Sequence, residues 1–223
     1  MGYIRLAQTD KQEPLTTHAD FYKLNGVYGS NAYSKGAVFL MQLGYIIGEE
    51  ALMTTMKRYF SEWKFKHPTP LDFKRIAEKE SGLELDWYFE QFVETTNTID
   101  YQVKSVEAVS GKTKITLERL GDMPMPIDVI VYKKNGDLEW YNIPMRIMRG
   151  AKGEDILKVK RETLEDWPWV YPTYSFDVPI PVGQIEEVVI DPTNRLADIE
   201  PSNNALVPGG APEGKDIQPF EGN

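Results

Sequence analysis

The period of the apolar residues changes once along this chain, at Ile99. From about 32 to 96 they recur at spacings of three and four; from Ile99 to about 191 they alternate. A helix presents the same face every 3.6 residues or so and a strand every second residue, so the two halves cannot be built from one kind of element. The expected fold is therefore α+β in two domains: an N-terminal helical bundle over 1–98, then an antiparallel β-sandwich of immunoglobulin-like type over 99–200. Residues 201–223 carry four prolines, four glycines and few apolar groups, which reads as a flexible tail.

Four helices are expected in the first half. The first, about 32–47, carries Val38, Leu40, Met41, Leu43, Ile46 and Ile47 around most of its surface, so it should be buried, and Gly48 suits its end. The second, about 49–63, places Leu52, Met56, Tyr59, Phe60 and Trp63 on one face. "HPTPLDFKRIAEKESG" contains the clearest local signal: Thr69 to cap, Pro70 at the first helical position, Asp72 to return the capping bond, Gly82 to stop. Asp86 is expected to cap a fourth helix reaching about 96. Beyond Ile99, "YQVKSVEAV", "KTKITLERL", "IDVIVYKK", "LEWYNIPMRI", "DILKVKR" and "IEEVVID" read as strands, with "SGK" and "KNGDL" as turns. "DWPWVYPTY" (166–174) is rich in aromatics and is expected to pack inside the sandwich. Asp191, Asn194, Asp198 and Glu200 could form a cation site, but "DPTNRLAD" reads better as a tight turn closing the last strand.

Composition narrows the chemistry. There is no cysteine, so disulfides and cysteine-held zinc are excluded within the chain. The two histidines, His18 and His67, lie far apart in sequence and neither sits in a ligand motif. The net charge of -9 has no basic block in it, which argues against a nucleic-acid partner. The longest apolar run, 37–47, is broken by Gln42 and is too short to span a bilayer. No phosphate loop, G-x-S-x-G elbow or H-E-x-x-H is present. On these features alone a non-catalytic helical-plus-sandwich module for protein or glycan binding is the simpler reading.

"NAYSKGAVFL", followed by "IGEEALMTTMKRYFSEWKFKHPTPLDFKRIAEKESGLELDWYFEQF", changes that balance. This succession resembles the late catalytic domain of the aminopeptidase N family, zinc metallopeptidases of the gluzincin type related to the leukotriene-epoxide hydrolase. The likeness runs from about Thr17 to Thr98 and continues loosely to "IDPTNRLADIEPSNN", the look of that family's small sandwich domain. It implies that the helical part is the end of a thermolysin-like catalytic domain. The family's zinc rests on two histidines and a glutamate of an H-E-x-x-H helix and the helix after it; a G-x-M-E-N strand binds the substrate amine. Those motifs lie upstream of the part seen here. The resemblance therefore implies a C-terminal fragment: zinc in the intact parent, none bound by this chain, and no activity by this chain alone.

Within the Y-x-K-G element, Tyr33 matches the tyrosine that in the family donates a hydrogen bond to the tetrahedral intermediate. Tyr28 has a counterpart lining the same pocket in some relatives. Lys35 and Gly36 match the element as scaffold, Gly36 admitting a neighbouring helix and Lys35 pairing with a carboxylate. The parent's partners would be peptide substrates and the upstream catalytic domain; this chain, lacking the latter, is expected to expose apolar surface near its first helix and to self-associate through it. The resemblance also suggests a bacterial, exported parent, whether periplasmic, secreted or lipid-anchored.

Overall fold

The structure, a computed structural model, describes residues 2–153 and 160–210. It divides into two compact units. Of the described residues, one gathers 2–97 with 146–153, the other 98–145 with 160–210.

The helical unit opens with a short α1 (Gly2–Ala7) and a loop. A single helical rod then runs from Asn25 to Ile47: α2 (Asn25–Gly29), a widened π-helical turn (Ser30–Lys35) and α3 (Gly36–Ile47). Its core side holds Val38, Leu43, Ile46 and Ile47, as the apolar spacing requires. Gly48 stops it with φ 87°, a conformation that disfavours any side chain. α4 (Glu49–Trp63) follows at once, with Glu49 and Glu50 at the positive end of its dipole. α5 (Pro70–Ser81) begins with the expected box: Asp72 accepts from Thr69 N at 2.8 Å and from Thr69 Oγ1 at 2.7 Å. These bonds hold the Asp72 carboxyl below its usual range.

α6 (Asp86–Phe89) is shorter than expected and passes into a second π-helical turn, Glu90–Glu94. Asp86 is its first residue rather than its cap; its carboxylate meets Lys74, and Glu78 Oε1 accepts from Leu85 N instead. Phe92, Tyr3, Tyr88 and Phe39 form the centre of this unit, with ring centroids 5.1–6.0 Å apart. Tyr88 donates its hydroxyl to Phe39 O at 2.7 Å. Residues 146–153 also belong here: Glu84 N donates to Met148 O, and the Lys152 ammonium lies 4.4 Å from the centre of the Tyr45 ring.

The second unit is a sandwich of a three-stranded and a five-stranded sheet. β1 (Tyr101–Val109) and β2 (Lys112–Arg119) form a hairpin across Ser110-Gly111, whose φ values of 49° and 79° are the positive pair that a tight two-residue turn demands. β3 (Ile127–Lys133) is central and buried on both faces; β4 (Leu138–Ile143) and β7 (Ile185–Ile190) flank it antiparallel. β5 (Arg161–Thr163) adds parallel to β4, a departure from a wholly antiparallel pattern. Most of "DILKVKR" lies outside the described residues.

Two strands lie outside the sequence expectation. β6 (Thr173–Val178) completes the smaller sheet, and β8 (Ala205–Leu206) pairs with β7, so this part of the Pro/Gly-rich stretch is ordered structure; 211–223 lie outside the described residues. In 166–174, Trp167 is buried against Tyr101 and Tyr174, while Trp169, Val170 and Tyr171 are exposed, so only part of that stretch packs inward. At Gly121 the backbone of Thr98 and Asp100 comes so close that a Cβ would sit 2.3 Å from Thr98 O.

The turn after β7 is closed by buried aspartates. Asp191 accepts from Leu196 N at 2.6 Å and from Thr193 Oγ1 at 3.0 Å; Asp198 accepts from Tyr101 N and Glu200 N. These bonds favour the charged form, but burial outweighs them and pushes each carboxyl up to about 7, with Asp128 adding to the rise at Asp191 and Asp100 at Asp198. A raised carboxyl contributes stability that is fully present below its unfolded value near 3.8 and lost as pH rises through 7. The sandwich is thus expected to resist urea better at pH 5 than at pH 8, by on the order of 3 kcal/mol per aspartate at most. Urea titrations at the two pH values, repeated with Asp191→Asn, check this; the variant should show about half the pH dependence. Equal stability at both pH values would refute the assignment.

Candidate functional site

The candidate site is the π-helical turn of the long rod. An extra residue in a helical turn is disfavoured unless surrounding structure holds it, and such turns gather at functional sites. Here Gly36 N donates to Asn31 O, the five-residue step that widens the turn. The outer side of the turn carries Tyr33, 79% exposed; the inner side carries Asn31 and Lys35, at 0% and 1%.

Each inner side chain is spent on a carbonyl from another segment. Asn31 Nδ2 donates to Glu13 O at 2.6 Å and to Tyr22 Oη at 3.1 Å, and Tyr22 Oη donates to Pro14 O. Lys35 Nζ donates to Thr95 O at 3.2 Å, at the end of the second π-helical turn, with the Phe92 ring centre 5.6 Å away. Burial pushes the Lys35 ammonium down to about 8. The expected carboxylate partner of Lys35 is replaced by this carbonyl, whose orphan lone pairs at a helical end suit a cation.

Tyr28, on α2, is half-exposed and meets Tyr22 edge-on at 5.3 Å between ring centres. Gly36 is not pressed by a neighbouring helix: a Cβ there would meet only Asn31 O, at 3.8 Å. It instead lines an apolar groove of about 480 Å³ with Phe39, Leu40, Met56, Tyr59 and Phe73. Of the face expected to bury α4, Met56 and Phe60 are exposed, Phe60 to 69%, while Leu52, Tyr59 and Trp63 are half-buried.

Among the described residues no group of side chains fits a zinc site. His18 Nδ1 accepts from Asp20 N in a short 3-10 turn, and His67 is exposed. Among the described residues the grouped carboxylates Glu78, Glu84 and Asp86 include no histidine, and two of them are already engaged by Leu85 N and Lys74.

Comparison with known proteins bears on the same segment. The model of the peptidase family M1 domain matches residues 4–92, which contain Tyr33 and the first π-helical turn and end within the second. Residues 4–92 are thus similar to the peptidase family M1 domain. No curated protein sequence matches the chain. Among solved structures, a crystal structure of Legionella pneumophila aminopeptidase A in complex with aspartic acid is similar at a TM-score of 0.48 and 12% identity, over 76% of this chain and 18% of that one. The M1 segment therefore ends close to where the helical unit ends, and the chain spans a small part of that aminopeptidase's length. Among the described residues no helix is long and apolar enough to cross a membrane.

Asn31, Tyr22 and the Thr95 carbonyl have no place in the sequence reading. The available signal was Asn31 and Lys35 four residues apart, two polar groups on the inward face of an apolar helix.

Proposed function

We propose that this chain is the closing part of a zinc-dependent aminopeptidase that hydrolyses residues from the N-terminus of peptides. Tyr33 carries the reading. It presents a phenol outward from a pinned π-helical turn, inside the segment that matches the peptidase family. In amide hydrolysis negative charge grows on the former carbonyl oxygen, and a phenol can donate to that oxygen without bringing a charge of its own. Tyr28, on the same rod, would line the substrate pocket. Zinc and the general base belong to the upstream part of the parent, which is read as bacterial and exported. The chain alone is inactive on this reading.

The test is hydrolysis of an aminoacyl anilide by the longer protein that contains this segment. Turnover that is lost on chelation and regained with zinc supports the proposal; a zinc-free protein that binds ligands without turnover would replace it with the binding-module reading. The exposed Trp169-Val170-Tyr171 run on the sandwich is the observation that favours that second reading.

The upstream catalytic part is also the proposed cover of the α3–α5 groove. The isolated chain should then self-associate at tens of micromolar, roughly the range of a modest apolar interface, and brighten a hydrophobic dye. Sedimentation of the chain as a monomer with no dye response would contradict this.

A further inference from the structure

Two polar side chains sit where a buried helix face ordinarily carries apolar ones. Asn31 and Lys35 flank Tyr33 on the inner side of the turn, both essentially inaccessible. Burying an ammonium is costly, and the lowered Lys35 value expresses that cost. A methionine or leucine would fill similar space without it. An apolar contact lets a helix slide or roll by fractions of an ångström; a hydrogen bond to a fixed carbonyl has a length and a direction. Lys35 ties the turn to Thr95 O, and Asn31 ties it to Glu13 O, so the turn is held at both of its ends from two separate segments. Phe92, under the Lys35 ammonium, is itself locked among Tyr3, Tyr88 and Phe39.

From this geometry we infer that Lys35 is a positioning residue for Tyr33: its bond to the Thr95 carbonyl sets where the phenol stands, with Asn31 as the second pin. The inference rests on the reading of Tyr33 as the oxyanion donor. Its chemistry follows from that role. A donor serves a developing oxyanion only at hydrogen-bond distance, and a displacement of about 1 Å in an active-site group can cost on the order of 100-fold in rate. Lys35 need never touch substrate; it acts through the turn.

The test is a double-mutant cycle in the longer peptidase that contains this segment, reading kcat and KM on an aminoacyl anilide together with the thermal midpoint. Lys35→Met is expected to lower kcat by roughly 10- to 100-fold while KM stays within about threefold. In a Tyr33→Phe background the same change should cost less than about twofold, because the phenol it positions is gone. Lys35→Arg keeps a cationic donor and should retain kcat within about fivefold. If Lys35→Met does not fold, Lys35→Gln enters the same cycle with the same expectation. Equal losses in both backgrounds, or an unchanged kcat in Lys35→Met, overturn the role of Lys35 while leaving Tyr33 in place. An unchanged kcat in Tyr33→Phe alone removes the reading of Tyr33 first, and the positioning role with it.

Discussion

On the proposed reading, replacing Tyr33 by phenylalanine is expected to lower kcat of the longer peptidase by about 100- to 1000-fold and to leave its metal content and folding unchanged. The size follows from what is removed. One neutral donor to a developing oxyanion contributes about 3–4 kcal/mol when it is placed in advance and water is excluded. The absence of a structural penalty follows from where Tyr33 lies. Its side chain is 79% exposed among the described residues, so little burial is at stake in the substitution. The substitution deletes a single oxygen and keeps the ring. Steady-state kinetics, with zinc measured on the same samples, check the expectation. A variant that keeps more than about a third of the wild-type kcat would show that the donor lies elsewhere.

The second large effect concerns the framework behind that tyrosine. Phe92→Ala is expected to destabilise the helical unit by about 3–5 kcal/mol, the usual range for emptying a buried aromatic site. Phe92 is fully buried, with Tyr3 and Tyr88 rings at 5.6 and 5.7 Å and Phe39 at 6.0 Å. Those neighbours belong to three separate helical elements, and Tyr88 is further tied to Phe39 O, so the site cannot collapse easily around the cavity. The loss also strips the ring from beneath the Lys35 ammonium. Denaturation followed by amide exchange in α3 and α5 measures it. Protection there should fall by the equivalent of several kcal/mol, while protection in β3 and β7 reports the sandwich separately. A change under about 1 kcal/mol would mean that this aromatic centre does not hold the unit.

What could be read from the sequence was mostly local. The Thr69–Asp72 box and the Gly82 stop mark α5 within a few residues, because capping is decided by neighbours in the chain. Ser110-Gly111 fixes the first hairpin for the same reason. The period-two runs locate β1, β2, β3, β4 and β7 because each buries alternate or continuous apolar residues against the opposite sheet. β6 does carry a period-two signal, Tyr174, Phe176 and Val178 alternating with Thr173, Ser175 and Asp177, but it is short and is obscured by Pro168 and Pro172 just before it. β8 is two residues long and exists only because β7 offers an edge.

The site was legible in part. The Y-x-K-G element points to Tyr33, but its conformation does not follow from its residues. The π-helical turn depends on Asn31 reaching Glu13 O and Lys35 reaching a carbonyl 60 residues away, and partners at that separation leave no local pattern. A lysine in sequence suggests a carboxylate; only the fold brings the end of a second helical turn to it. Gly36 likewise reads as a close-packing glycine, yet it borders an open groove.

On the proposed reading this chain holds the oxyanion donor of an M1-type aminopeptidase, and the metal half of the site lies in the upstream part of the parent. The most direct test is a zinc determination and an aminoacyl-anilide assay on the 223-residue chain by itself after dialysis against zinc-containing buffer. The expected result is far less than one tightly held zinc per chain and no turnover above the uncatalysed rate. One zinc per chain, accompanied by chelator-sensitive turnover, would contradict it.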